Sequence, residues 1–310
     1  MINKNNILFT NDVETHSIFY NDLRADTGYK VYKDAIPYIL DLYDKYNIKS
    51  TFFITGYIAK LYPNIVKIIS NRGHEIGSHG LTHEVNKAFD ILPLKKQIMH
   101  LRESKNILED LCSENVISFR APALRVNRNT PTALYEAGFK IDSSISPQRF
   151  DFFFSFGSYE KISRLFSPRK IYFASQNDLS KKGNSNIIEV PLSSFGLPFV
   201  GSLMRSNNKI FKLLRLMLMY ESVIRGTTIN YYMHPTEFIT ETSNNDVYTN
   251  RRTKSWIQFV LADIIRRKIK LINLGENAKP LYEELLQYFI KRKFNAITMK
   301  DYCKLKGFLK

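Results

Sequence analysis

Cysteine is scarce in this chain. Cys112 and Cys303 are its two cysteines in 310 residues, too few for a disulfide framework. The pair reads as structural thiols of a reducing compartment. Long apolar runs are missing as well. No stretch reaches the ~20 uninterrupted apolar residues that a membrane span needs. The amino-terminal run Met1-Ile2-Asn3-Lys4-Asn5-Asn6 lacks the apolar core of an export signal, so the expectation is a cytoplasmic protein. Acid is in short supply too: 29 Asp and Glu stand against 45 Lys and Arg, a net charge of +16. Such a surplus first suggests nucleic acid, yet no helix-turn-helix, zinc-finger or aromatic-stacking motif accompanies it, and nucleic acid is set aside. An anionic membrane surface or a phosphorylated substrate suits the charge, and a lysine-rich codon bias is the bland alternative. Internal repeats and low-complexity tracts are absent.

What is present is a globular composition, 44% hydrophobic and 13% aromatic, in which strand-like and helix-like runs alternate. That alternation favours parallel strands joined by helices. Strands are expected at 7–11, 49–55, 75–78, 116–119, 139–141, 187–192 and 228–233. Helices are expected at 34–46, with Ile36, Ile39, Leu40 and Tyr43 on one face, and at 57–71, 94–112, 129–137 and 281–292. Gly73 suits a left-handed helix cap. Residues 147–185 read as a long loop excursion containing Phe152-Phe153-Phe154 and the polar stretch 180–185. One catalytic unit over 1–240 is followed by a helical extension, 241–310, that completes it.

The chemistry-bearing residues cluster at the carboxyl ends of these strands, where parallel α/β folds assemble their sites. The run Ser78-His79-Gly80-Leu81-Thr82-His83 carries two histidines four apart, which on a helical turn would face one metal ion. Asp12 and Glu14 are two apart, so both face one pocket if the first strand stays extended. One carboxylate would complete a three-residue metal shell with His79 and His83, and the other would remain a general base. Arg120, Asp142 and His234 end later strands. His234 is placed to protonate a leaving amine. Ligands, spare carboxylate, arginine and spare histidine make up the parts of a metal-assisted hydrolase.

These motifs, in this order from about residue 6 to 238, resemble the polysaccharide deacetylases (the NodB-homology enzymes of carbohydrate esterase family 4). Asn11-Asp12-Val13-Glu14 resembles the variant first motif with alternating acids. His79 and His83 resemble the second motif, Arg120-Ala121-Pro122 the third, Asp142-Ser143-Ser144 the fourth and Met233-His234-Pro235 the fifth. The resemblance implies an α/β fold, a distorted (β/α) barrel of about seven parallel strands, and N-deacetylation of an amino sugar. It implies one divalent metal, zinc first and cobalt, nickel or manganese as alternatives. Carried over, Glu14, His79 and His83 are metal ligands, Asp12 is the base, Arg120 holds the base and His234 is the acid. Asp142 would support Arg120 or His234, and the turn at Pro122 and Ala123 would bind the oxyanion. Because relatives commonly ligate with aspartate, Asp12 and Glu14 could exchange roles.

Two basic amphipathic stretches bear on the substrate. Residues 203–225 read as a helix packed on the sheet. Residues 255–270, with Trp256 at one end and Arg266-Arg267-Lys268 at the other, read as an interfacial anchor. The expectation is therefore an N-deacetylase at the inner membrane face, acting on an amino sugar linked to polyprenyl phosphate or on a nascent glycan. A deacetylase of soluble oligosaccharide and an amidohydrolase of small cyclic or linear amides are the alternatives. A non-catalytic binding module is disfavoured, since no catalytic position is lost.

Overall fold

A computed structural model describes residues 5–149, 163–241, 256 and 259–310. Among these residues, seven parallel strands form the barrel wall: β1 (Asn6–Val13), β2 (Thr51–Ile54), β3 (Glu75–Ser78), β4 (Ser118–Phe119), β5 (Ile141–Asp142), β6 (Ile188–Glu189) and β7 (Ile229–Met233). Their order is β7-β1-β2-β3-β4-β5-β6, each step a parallel crossover. All eight residues of β1 are buried, as expected of a strand covered on both faces. The sheet rolls into a half-barrel whose edges β6 and β7 meet without a regular ladder. Ser193 N donates to Asn230 O at 3.0 Å, and Asn230 Nδ2 donates to Val190 O and Pro191 O at 3.3 and 3.2 Å. One buried asparagine thus stands where an eighth strand would close the ring.

Alternation along the strands divides the core in two. Ile7, Phe9 and Val13 face the surrounding helices, while Leu8 joins Phe53, Ile141 and Ile188 inside the barrel. The barrel floor is plugged by the chain's end. Asn295–Ala296 pairs with Asn6–Ile7, and the helix Met299–Leu305 sends Met299, Tyr302 and Cys303 into the interior cluster. Met299 N donates to Thr51 Oγ1 and Lys300 N to Glu75 Oε2, both at 2.9 Å. The helix Ala278–Lys291 packs outside, with Tyr282 against Phe9 and Tyr231. Among the described residues, no helix is long and apolar enough to cross a membrane.

Three local expectations differ from the structure. The first helical region begins nine residues earlier, at Ala25, and runs through a π-helical turn, Val31–Ala35, into Ile36–Lys45. The region 57–71 is two helices, Gly56–Leu61 and Asn64–Asn71, parted at Tyr62-Pro63; the ring of Pro63 cannot continue the first helix. The excursion after residue 147 contains a hairpin, Tyr172–Ser175 with Asp178–Lys182, added antiparallel to β6. Tyr172 and Ala174 point inward and Phe173 outward, a period of two too short to stand out in the sequence. Residues 152–154 lie outside the described residues.

Candidate metal and catalytic site

The site forms at the open, carboxyl end of the barrel. On β1 the inward positions are Leu8, Thr10 and Asp12, and Glu14 follows just past the strand. His79 follows β3 and Arg120 follows β4. His79 and His83 do not share a helical turn. They flank an irregular loop in which Gly80 takes φ +72°, a left-handed conformation that a Cβ would strain. The loop still brings the two imidazole centroids to 5.8 Å.

Glu14, His79 and His83 each offer a ligand atom, all within 4.8 Å of one another. His79 Nδ1 donates to the Arg120 carbonyl at 2.8 Å, which leaves Nε2 for the centre of the cluster. His83 Nε2 approaches Glu14 Oε2 at 3.2 Å. Even so, Glu14 Oε2 and His79 Nε2 are buried without a hydrogen-bond partner. Two lone pairs aimed at a common point suit a divalent cation, and a carboxylate with two imidazoles is a donor set that such ions accept. Burial opposes ionisation of Glu14, but the rings of His83, His16, His234 and His79 together hold its pKa down to about 2. Burial also pushes His79 down to about 4, against the pull of Asp12 and Glu14, so its ring is neutral, as a metal ligand must be.

Asp12 is engaged differently. Its Oδ1 accepts from Arg120 Nη1 at 2.7 Å, in a pair with side chains 3% and 0% exposed. Arg120 is fixed on every side. It donates to Thr10 Oγ1, to Ser143 O and to Ser143 Oγ at 2.9–3.0 Å, and its guanidinium lies 4.3 Å from the Phe53 ring centroid. Of the two acids, Glu14 thus lies within ligand distance of both histidines and Asp12 pairs with the arginine.

His234 stands across the cluster, its Nε2 3.8 Å from Glu14 Oε1 and its side chain 28% exposed. The partner that holds it is Glu237. The His234 N–H donates to Glu237 Oε1 at 3.1 Å, and Nδ1 lies 3.5 Å from the same oxygen. Arg205 Nε donates to Glu237 Oε2 at 2.6 Å, and Arg205 Nη1 donates to the carbonyls of Lys270 and Ile272. Burial works against the charge on His234, but Glu237, Glu14 and Asp12 raise its pKa above the usual imidazole value. Glu237 itself is held at about 2, Arg205 and His234 outweighing its burial.

Asp142 reaches Arg120 only indirectly, through Ser144 and the turn at Ala121. Ile141 points into the barrel, so Asp142 points out of it. Its carboxyl accepts from Ser144 Oγ and Ser144 N at 2.7 and 3.2 Å and faces Glu189, its partner in the β5–β6 register. Ser144 Oγ in turn accepts from Ala121 N at 2.9 Å. Asp142 therefore braces the turn that follows Arg120 and makes no hydrogen bond to the guanidinium. In that turn Pro122 precedes Ala123 and Leu124, both left-handed at φ 52° and 56°; Arg164 Nη1 holds the Leu124 carbonyl at 2.7 Å.

Glu237 and Arg205 escaped the sequence reading, and His16 lies beside the site outside the expected set. Glu237 and Arg205 are described above. His16 donates through Nδ1 to Ser17 O at 2.9 Å and packs its ring 5.7 Å from that of His83. The spacing His234-Pro235-Thr236-Glu237, which folds as a capping box, was the one available signal for Glu237.

Residues 12–141 match the polysaccharide deacetylase family. A peptidoglycan deacetylase of Helicobacter pylori is 31% identical over 111 residues, 36% of this chain and 37% of its own length. A peptidoglycan-N-acetylmuramic acid deacetylase of Bacillus subtilis is 31% identical over 83 residues, 27% of this chain and 30% of its own. The chain thus spans about a third of the length of these curated relatives. A solved structure from Mycobacterium smegmatis, assigned to the polysaccharide deacetylases, superposes with a TM-score of 0.64 at 18% identity, over 97% of this chain and 90% of that one. An allantoinase structure superposes at 0.61 with 13% identity, over 96% and 88%. Likeness at that level is likeness of fold. Over residues 12–141, the chain is similar to the polysaccharide deacetylase family.

Proposed function

We propose that this chain is a metal-dependent hydrolase that removes the N-acetyl group of an amino sugar. The observation that carries the proposal is the buried cluster of Glu14, His79 and His83, with the Asp12–Arg120 pair beside it and His234 facing it. A divalent ion held by those three residues would polarise the amide carbonyl and acidify a water molecule. Asp12, oriented by Arg120, accepts the proton of the attacking water. His234, held by Glu237, donates its proton to the amide nitrogen as the carbon–nitrogen bond breaks. Acetate and a free amine are the products. Zinc is the proposed ion, with cobalt, nickel or manganese able to replace it in such a donor set.

The proposed substrate is an N-acetylated amino sugar linked to polyprenyl phosphate, or a nascent glycan, met at the cytoplasmic face of the membrane. The net charge of +16 supports that reading, because an anionic leaflet concentrates a cationic protein. The test is acetate release from lipid-linked and from soluble N-acetylhexosamines after chelation and metal add-back, with allantoin as a cyclic-amide control. Metal-restored release from the amino sugars supports the proposal. Turnover of allantoin alone contradicts it.

A further inference from the structure

The helix Asn208–Arg225 is apolar on two opposite sides. Its inner side buries Phe211, Leu214 and Leu218, with Phe211 stacked on Phe199 at 4.7 Å. A helix so seated on a barrel needs a polar outer face. This one has the reverse. Ile210, Leu213, Met217, Tyr220 and Ile224 are 43, 60, 38, 56 and 77% exposed, and at 100° per residue they fall on one line, widened by Leu216 and Val223. The stripe runs ~20 Å along the helix. Contiguous apolar surface on this scale marks a contact site.

Charge decides what covers it. Two acids border the stripe, and both are already neutralised: Glu221 by Arg169, and Glu284 by Lys212 and Arg215. Lys209 lies on the stripe and Arg225 ends the helix, both exposed. Among the described residues neither makes an ion pair with an acid. A second copy, in either orientation, would set lysine against lysine or lysine against arginine with no acid between, in a chain already at +16. An anionic bilayer offers what the stripe lacks, apolar depth below and negative charge at the rim, with the Lys209 stem free to lie along the apolar face. We propose that the outer face of the helix Asn208–Arg225 is a docking surface for anionic phospholipid, on which the helix lies in the headgroup plane. The face belongs to the basic amphipathic stretch 203–225, whose expected packing on the sheet accounts for its inner side. Part of the expected anchor at 255–270 lies outside the described residues.

The surface deepens the membrane-face reading of the substrate and rests on it only for what docking brings within reach; the docking itself requires no turnover. The test is cosedimentation of the full chain with phosphatidylcholine vesicles, with and without phosphatidylglycerol. Binding to the phosphatidylglycerol vesicles is expected, weakened by salt. It should fall at least ~10-fold in Leu213→Glu/Ile224→Glu, whose exposed positions leave the melting temperature and acetate release from a soluble substrate unchanged. A milder loss is expected in Lys209→Glu/Arg225→Glu. No binding by the parent chain, or binding indifferent to the helix variants, overturns the proposal. So does a dimer in solution that Leu213→Glu/Ile224→Glu dissolves, since a second copy would then cover the face. Loss of deacetylation in chains that still bind vesicles would refute the catalytic reading and leave the docking surface standing.

Discussion

Replacing Glu237 by glutamine keeps its shape and one acceptor but removes the charge that faces both His234 and Arg205. The structure sets two consequences apart. Arg205 is fully buried at the centre of its pair, 2.6 Å from Glu237, and removing one member of such a pair costs about 3 kcal/mol, because the other charge stays buried and unpaired. His234 loses one of the anions that raise its pKa and the group that fixes its ring, so the imidazolium proposed as the proton donor becomes scarcer. General-acid catalysis contributes roughly 10²- to 10⁴-fold, and Glu237→Gln should lower kcat for an acetamide by about 10²-fold with KM and metal content near those of the parent. The discriminating assay changes the leaving group. An aryl acetate expels a phenolate that needs no proton, so the same variant should cleave the ester within about 3-fold of the parent rate. Arg205→Met/Glu237→Gln should recover most of the lost stability and none of the lost amide activity. Equal losses on amide and ester, in a folded variant that keeps its metal, would refute the relay.

Other expectations follow from the same geometry. Gly201→Ala would drive a Cβ into both carboxylate oxygens of Glu237; it should lose 1–3 kcal/mol, an order-of-magnitude figure for overpacking, and share the leaving-group signature of Glu237→Gln. His74 is buried, and desolvation lowers its pKa from 6.5 to about 4. The unfolded chain therefore takes up a proton below pH 6.5 that the folded chain refuses. Stability should fall by roughly 2 kcal/mol between pH 7 and pH 5 from this group, and His74→Asn should flatten that slope in urea titrations. For the pair Asp142 and Glu189, burial raises both pKa values, and Asp142 lifts Glu189 further. The folded pair holds a proton that the unfolded carboxylates release, so its contribution weakens as pH rises. Asp142→Asn should raise the melting temperature at pH 8 more than at pH 5 and leave metal content unchanged, because its side chain faces away from the ligands.

Much of this was legible in the sequence, for a physical reason. A parallel strand buried on both faces is largely apolar, so an ionisable residue at its carboxyl end marks the barrel rim. Asp12 near the end of β1, and His79, Arg120 and His234 just past β3, β4 and β7, announce themselves in that way. Less legible was which way a side chain points once a strand is only two residues long. Asp142 occupies the right place in the motif order, yet alternation along Ile141–Asp142 turns it out of the barrel, and Ser143 takes over the arginine. Glu237 was hidden by its own spacing, since an acid three residues after a strand end reads as a helix cap, which it also is. The floor plug, Met299–Leu305, is too short for periodicity to reveal. The outer stripe of the helix Asn208–Arg225 was legible as apolar residues, but whether a given face is covered is a property of the folded chain.

The central claim is that Glu14, with His79 and His83, holds the metal, and that Asp12 works beside it as the base. Metal content by mass spectrometry, measured with acetate release on the same preparations of Asp12→Asn and Glu14→Gln, tests it most directly. The claim requires Asp12→Asn to retain about one equivalent of metal while turnover collapses by at least ~10²-fold, and Glu14→Gln to lose both. Loss of metal from Asp12→Asn with retention in Glu14→Gln would contradict it.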